Sequence, residues 1–581
     1  MRQIRFHATL LAALVSVAAA TAVRAAWVPD GTPLSVAASN QQDPMIVPDD
    51  AGGAIVVWRD FRNGATSDVY AQRVDATGTP QWTANGTAIC VEANNQEWPA
   101  IVSDGAGGAI IAWQDARFFW DHIYVQRVDA SGVPQWGTNG VILCAAAYSQ
   151  TLPIIASDGA GGAIVAWRDY RSGTNYDIYA QRVNAAGAPQ WTADGVPICT
   201  ASGDQLTTTP THSPSIVSDG AAGAIVTWFD YRSAALHSNI YDADIYAQRV
   251  NASGALQWTT DGVEVCTAAG DQAYPAIVTD GAGGAILTWW DKRSGDTDVY
   301  AQRLSALGAP QWTDQGAVVC SAANDQFFNS MIPDGSGGAM IAWNDRRAQP
   351  NQANIFDVYA QRVSASGIAQ WTADGVAITV AANSQINPQL VSDDNGGAIV
   401  TWYDNRSGTN NDIYAQRVDA NGASQWTADG VAVCLAVKNQ FSPTIVEDGA
   451  GGAIVAWYDR RNGINDDIYA QHLNAAGNTI TTAVPASGTP ALFVGQLYPN
   501  PFSTSATLDI EAPAASKVAI NIYDVAGHVV RTMQVPDTGA GLRSVLLDGR
   551  DAQGRLLANG VYFCRVRANG ASITRKIVIA R

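Results

Sequence analysis

Residues 153–198 decide the fold. They read PIIASD (153–158), GAGG (159–162), AIVAWRD (163–169), then, after a polar loop, DIYAQRV (177–183), NAAG (184–187) and QWTADGVPI (190–198). Short runs rich in Val, Ile, Tyr and Trp, punctuated by Gly, are strand signals. The Asp-Gly-x-Gly-Gly turn supplies the positive φ angles that a tight hairpin needs. Four strands follow: A over 153–158, B over 163–169, C over 177–183, and D around Gln190 and Trp191. The Thr-Ala-Asp-Gly after the tryptophan is either a bulge within strand D or a turn between two short strands, and the face assignments take the bulge. Strand B is apolar on both faces, as in a sheet stacked between neighbours.

The unit recurs eight times. Trp58, Trp113, Trp167, Trp228, Trp289, Trp343, Trp402 and Trp457 mark it at intervals of 54 to 61 residues. Repeats of this length with four antiparallel strands predict propeller blades. The eighth repeat has A, B and C (467–473) but no Gln-Trp element. The N-terminal stretch with Trp27, Gly31, Leu34, Gln41 and Pro44 supplies the missing piece. One strand from the start of the chain, added to the last blade, would close a ring and remove exposed edges. An open solenoid would need polar caps, and these ends look matched instead. The expected fold is all-β: an eight-bladed β-propeller over 26–477, closed by the N-terminal strand and followed by a small Ig-like β-sandwich.

The first 25 residues read as a signal peptide: basic Arg2 and Arg5, an apolar run over 8–23, and a small-residue cleavage site at 23–25. They predict a secreted or outer-surface protein with bacterial-type export and no transmembrane segment after cleavage. The net charge of −18 becomes more negative once such a leader takes Arg2, Arg5 and Arg24 with it. An acidic surface repels phosphate backbones and argues against nucleic acid. Cys90, Cys144, Cys199, Cys266, Cys320 and Cys434 each lie eight residues after a Gln-Trp tryptophan, where Ser35 and Thr379 fill the slot in two other repeats. Equivalent positions in neighbouring blades are too far apart for disulfides, so these read as small buried side chains. No C-x-x-C pair or His cluster points to a metal.

Residues 478–493 break the pattern and read as a linker. From 494 a new module begins with alternating stretches at 506–510, 517–523, 529–535, 544–547, 561–566 and 572–579. Its motifs YPNPF (498–502), IYDVAG (522–527), DGRD (548–551), NGVYF (559–563) and TRKIVI (574–579) resemble C-terminal Ig-like modules of the FlgD type and type IX secretion sorting domains. That resemblance implies export across, or display on, an outer membrane, with the export machinery as a partner. The Asp-Ile-Tyr element of the repeats loosely resembles TolB-type propeller repeats.

The strongest recurrence is Trp-x-Asp-x-Arg, present in all eight repeats: Asp60/Arg62, Asp115/Arg117, Asp169/Arg171, Asp230/Arg232, Asp291/Arg293, Asp345/Arg347, Asp404/Arg406 and Asp459/Arg461. A catalytic site needs one special copy, whereas eight equal copies suit a structural ladder of bidentate Arg–carboxylate bonds that tie down the B–C loop. A second set, Asp68, Asp177, Asp244, Asp298, Asp357, Asp412 and Asp467, heads strand C, with His122 in that slot of repeat two. Clustered carboxylates suit calcium, but the Asp-x-Asp-x-Asp-Gly spacing is missing and the arginines compete. No cofactor or metal is assigned.

Large insertions fall in B–C loops (233–243, 348–355) or in a D–A connection (202–213), on one face of the disc. Variable loops on a rigid scaffold are where binding usually resides. That face carries Trp98, Phe118, Phe119, Trp120, Tyr148, Tyr176, Tyr241, Phe327, Phe328 and Phe441. These rings either stack on a polysaccharide or a surface protein, or plug the rim between blades. His122, His212 and His237 are isolated there, and no hydrolase, metalloprotease or phosphate-loop motif occurs. The expected function is a binding or interaction propeller. The alternatives are an extracellular polysaccharide-active enzyme and a passive structural or adhesive surface protein.

Overall fold

The computed structural model describes residues 27–208, 215–233, 242–348, 355–479, 493–498, 502–512, 518–525, 528–535, 541–568 and 571–581. The stretch read as a signal peptide lies outside them, as do most of residues 478–493 and Tyr241, His212 and His237. The chain divides into two compact units, at 481/482.

The first unit contains eight antiparallel sheets. In blade 1, strands A (Gln41–Pro48), B (Ala54–Asp60), C (Asp68–Val74) and D (Thr87–Cys90) pair in that order. Blades 2 to 7 repeat the pattern. In blade 8, strands A (Gln440–Glu447), B (Ala453–Asp459) and C (Asp467–Leu473) are completed by Thr32–Ser35, which pairs antiparallel with strand C. Strand A of each blade packs against strand A of the next, and that of blade 8 against that of blade 1, so the A strands form the inner ring.

Three repeated devices build the ring. In the A–B turn, the Asp49 carboxylate accepts from the Ala51 and Gly53 backbone N–H groups at 2.8 and 2.7 Å, and Arg73 of strand C closes on its other oxygen at 2.9 Å. Gly53 is required there: a Cβ would lie 2.3 Å from the Val74 carbonyl oxygen. The Trp58-type indoles are fully buried between blades. The third device is a staple between neighbours. Gln72 accepts from Trp82 N–H and donates to the Thr83 carbonyl, which fixes the Gln-Trp segment, and the Trp82 indole N–H reaches the Ala130 carbonyl of blade 2 at 3.1 Å. Trp426 binds Ala475 between blades 7 and 8, and Trp27 binds Ala76 between blades 8 and 1. The junction between the chain ends therefore uses the same contact as the others.

Two expectations need correction. Strand D is the four-residue segment ending at the cysteine slot, not the Gln-Trp element, and Thr-Ala-Asp-Gly is a turn leading into it rather than a bulge. The indole is used across the blade junction instead of in the sheet. Strand D still runs back to the B–C side, so B–C and D–A connections share one face. The insertion assigned to the D–A connection of blade 4 instead interrupts strand A itself, which is split into Gln205–Leu206 and Ile216–Ser218, both paired with Ala224–Asp230.

The second unit has a three-stranded sheet, ordered Phe493–Tyr498, Ala506–Ala512, Gly541–Leu547, and a four-stranded one, ordered Val529–Val535, Val518–Tyr523, Gly560–Ala568, Ala571–Ile579. Leu508, Ile510, Ile520, Cys564, Val566 and Ile577 fill its core. The first of these strands begins inside the stretch read as linker. No helix among the described residues is long and apolar enough to cross a membrane.

Candidate functional site

All eight Asp–Arg pairs form, with the carboxylates buried. Besides tying the B–C loop, seven of the eight pairs reach across a blade junction, the arginine meeting Ser35 or a cysteine of the preceding blade. In blade 2, one Asp115 oxygen accepts from Arg117 N and Nε at 3.0 and 2.8 Å; the other accepts from Trp113 Nε1 and Arg117 Nη2 at 2.8 and 2.6 Å. Arg117 also donates to the Asn139 carbonyl and lies 3.1 Å from Cys90 Sγ of blade 1, with its guanidinium 3.8 Å above the Tyr124 ring.

Arg62 of blade 1 departs from that pattern in its cross-blade partner. It grips Asp60 through N and Nε, both at 2.9 Å, and through Nη2 at 2.5 Å. Nη2 also donates to the Asn85 carbonyl at 2.7 Å, and the guanidinium lies 3.6 Å above the Tyr70 ring. Where other clamps meet a thiol, Arg62 meets the Ser35 hydroxyl at 3.4 Å, and Ser35 belongs to the strand that completes blade 8. Arg62 therefore helps to hold the two ends of the ring together, a role that a tie within one loop does not include. In blades 4, 7 and 8 the Nε of Arg232, Arg406 and Arg461 is buried without a partner, while Nη2 keeps both its aspartate and its carbonyl. The clamp arginines are thus committed to the scaffold.

The cysteines are buried and free, and each propeller thiol is desolvated against a clamp of the next blade, which raises its pKa. The strand-C aspartates sit directly opposite the clamp aspartates, Asp68 across from Asp60. Burial, reinforced by the facing carboxylate, pushes Asp68, Asp177, Asp357, Asp412 and Asp467 up to about 6. No group of three potential metal ligands occurs among the described residues.

The positions that differ between blades lie at the channel mouth. In seven blades strand A shifts register two residues after its Gln, and the bulged residue is left-handed: Asp43, Trp98, Leu152, Tyr274, Phe328, Asn387 and Ser442 have φ between 48° and 63°. This conformation costs a non-glycine residue about 1–2 kcal/mol, and Trp, Leu, Tyr and Phe do not favour it. The geometry presents a different side chain at each step around the inner ring. The split of strand A in blade 4 falls at the same place.

Aromatic rings on the B–C/D–A face form two chains. The first, in blades 2 and 3, links Phe119–Trp120 (4.7 Å), Trp120–Tyr148 (5.3 Å), Tyr148–Tyr170 (6.2 Å) and Tyr170–Tyr176 (5.0 Å), with Phe118 against His122. Phe119 is 88% exposed, and Phe118, Trp120 and Tyr148 are exposed by 41–57%. Phe118 and Phe119 border a shallow groove with Thr66, Asn94 and Asn95 of blade 1. The second chain crosses blades 4 to 6: Tyr231–Phe229, Phe229–Tyr274 (5.4 Å, stacked), Tyr274–Trp290 (5.0 Å, stacked), Trp290–Phe327 and Phe327–Phe328. Trp98 stands apart, under the Arg59 guanidinium. A third group, Tyr403–Phe441–Tyr458, belongs to blades 7 and 8. The named rings thus fall into separate groups, and Trp98, Tyr176, Phe327 and Phe441 are half-buried rather than exposed.

Tyr170, Phe229, Tyr231, Tyr274, Trp290, Arg59 and Arg168 join them. Most of these occupy the x positions of Trp-x-Asp-x-Arg or follow the strand-A Gln, so aligning the eight repeats on one another exposes them as variable columns. His122 is buried and hydrogen-bonded to Gln150 at 2.9 Å.

Comparison with known proteins adds one family. Residues 500–572 match the FlgD Ig-like domain. The match lies within the second unit and contains three of the motifs named above in full. No curated protein matches the chain. Among solved structures, an ulvan lyase, a polysaccharide lyase, is 11% identical with a TM-score of 0.42, over 77% of this chain and 97% of that one. PorZ, a surface component of the type IX secretion system of Porphyromonas gingivalis, is 10% identical with a TM-score of 0.28, over 94% and 82%. An endo-arabinase of Bacteroides thetaiotaomicron is 13% identical with a TM-score of 0.29, over 58% and 98%. Similarities this distant fix no activity, substrate or partner.

Proposed function

We propose that the protein is a secreted or surface-displayed binding propeller that holds a polysaccharide on its B–C/D–A face, with the FlgD-like module serving delivery through an export machinery. The observation that carries this reading is the contrast within one repeat. The clamp, turn and staple positions recur around the ring, while the mouth and loop positions change from blade to blade, with Phe118, Phe119, Trp120, Tyr148, Tyr274 and Phe328 exposed among them. Contiguous exposed aromatic surface on a soluble domain marks an interaction site. Flat rings with a polar edge suit sugars, which present apolar faces and hydroxyl rims. The rings lie in open rows spanning several blades, which fits an extended polymer better than a small molecule in an enclosed pocket.

A pull-down of the full chain with a panel of neutral and acidic polysaccharides, with and without calcium, tests the reading. Binding to at least one polymer that falls tenfold or more in the Phe119→Ala/Trp120→Ala double variant, with the melting temperature unchanged, is the expected result. Retention of full affinity by that variant would move the site off this face. Binding that requires calcium would bring the clustered carboxylates back into consideration.

A further inference from the structure

Every described arginine of the ring but one has a carboxylate within 2.5–3.0 Å. The exception is Arg168, the x residue of Trp-x-Asp-x-Arg in blade 3. Its counterpart Arg59 in blade 1 is held by Asp43 at 2.7 Å and Glu97 at 3.4 Å. Arg168 instead faces Thr151 across the sheet and donates Nη2 to the Thr207 carbonyl at the break in strand A of blade 4. Its Nε is buried without a partner. The sequence over 209–214 and 234–241 contains no Asp or Glu. Burial pulls the guanidinium down to about 10, so it stays cationic at neutral pH.

A largely buried cation without an ion pair is costly, and in a chain with so large an excess of acidic residues a close partner would be easy to supply. Tyr176, which ends the first chain, Tyr274 and Tyr231 of the second, and the carboxylate of Asp204 are the groups around it. Asp204 is turned to the Tyr176 backbone N–H at 2.9 Å. A planar guanidinium among tyrosines, short of an anion, matches a carboxylate in charge and shape.

We infer that Arg168 is the anion subsite of the aromatic face and takes the carboxylate of an acidic sugar, so that the ligand is a uronate-containing polysaccharide. The inference rests on the polysaccharide reading above. Between blades 3 and 4, the charge anchors one sugar ring.

Affinity electrophoresis of the full chain against polygalacturonate and its methyl ester tests it, with dextran sulfate and dextran as a second pair. The acid form should bind at least tenfold tighter than the ester, and that preference should weaken with added salt. Arg168→Gln should bring acid binding down to the level of the ester and leave ester binding alone. Arg168→Lys, which keeps the charge but loses the planar fork, should fall between. If the Gln variant does not fold, the Lys variant decides, since a subsite requires it to lose preference. Equal binding of acid and ester, or an undiminished preference in both variants, would overturn the subsite and leave the polysaccharide reading standing. A gain for sulfate with none for carboxylate would overturn the carboxylate assignment. Absence of binding to any polymer, neutral or acidic, would remove both readings.

Discussion

The clamp and the mouth are a few residues apart in the same strands, yet they follow opposite rules. At the clamp, Trp, Asp and Arg are the same in eight blades, and each carboxylate holds an indole and a guanidinium. At the mouth, the positions beside them hold Arg59, Gln114, Arg168, Phe229, Trp290, Asn344, Tyr403 and Tyr458. The difference teaches that repetition here marks what holds the ring, and departure from repetition marks where one blade is free to differ from the next, even at buried Gln114, Phe229 and Asn344. A scaffold whose junctions are all alike can vary one row of side chains without disturbing the rest.

The largest expected effect breaks the clamp. Asp115→Ala removes the acceptor of Trp113 Nε1 and Arg117, and should cost about 3–5 kcal/mol, as when one partner of a buried pair is removed. Denaturant unfolding measures it, and a loss under about 1 kcal/mol, the scale of an exposed ion pair, would mean the clamp is ornamental. Next comes the staple. Gly132 has φ +84°, and a Cβ there would lie 2.5 Å from the Trp82 ring, so Gly132→Ala should cost roughly 1–3 kcal/mol by overpacking. A neutral outcome would show that the indole can move. A smaller effect comes from pH. The five strand-C aspartates raised to about 6 bind protons in the folded state at a pH where the unfolded chain, near 3.8, has released them. Their contribution to stability is therefore full below about pH 4 and is lost as pH rises through about 6. The melting temperature should be higher near pH 5 than near pH 7.5, and Asp68→Asn should shrink that difference. The smallest effect belongs to the mouth: Phe119→Ala should change stability by less than about 0.5 kcal/mol, because the ring is almost entirely exposed. A larger loss would place Phe119 in the fold rather than in the site.

Much of this molecule is legible in the sequence because its period is written eight times. Strands A, B and C, the matching of Trp27 to the last blade, and the Asp–Arg pairing follow from residue type and spacing. The reach of Arg62 and its counterparts into the neighbouring blade does not, since spacing within one repeat says nothing about what the next repeat places beside it. Strand D is misplaced in a propensity reading because Gln-Trp looks like a strand, while the true strand, such as Thr87–Cys90, is only four residues long. The channel mouth is hidden for a different reason. Left-handed backbone is announced by Gly, Asn or Asp, and Trp98, Leu152, Tyr274 and Phe328 give no such notice. Aligning the repeats marks Arg168 as a variable position, but not as one without an ion pair, which is a three-dimensional fact.

The Trp27 staple and the Thr32–Ser35 strand have a consequence for time as well as shape. A linear stack of repeats can fray from either end, each blade opening at the expense of one neighbour. Here the first residues of the ring are spoken for by the last blade, so there is no end to fray from. The same arrangement makes residues 27–35 wait, unpaired, until 467–473 have been made and have arrived. The disc is complete only when its final repeat is, and a chain cut short before that point keeps an open edge.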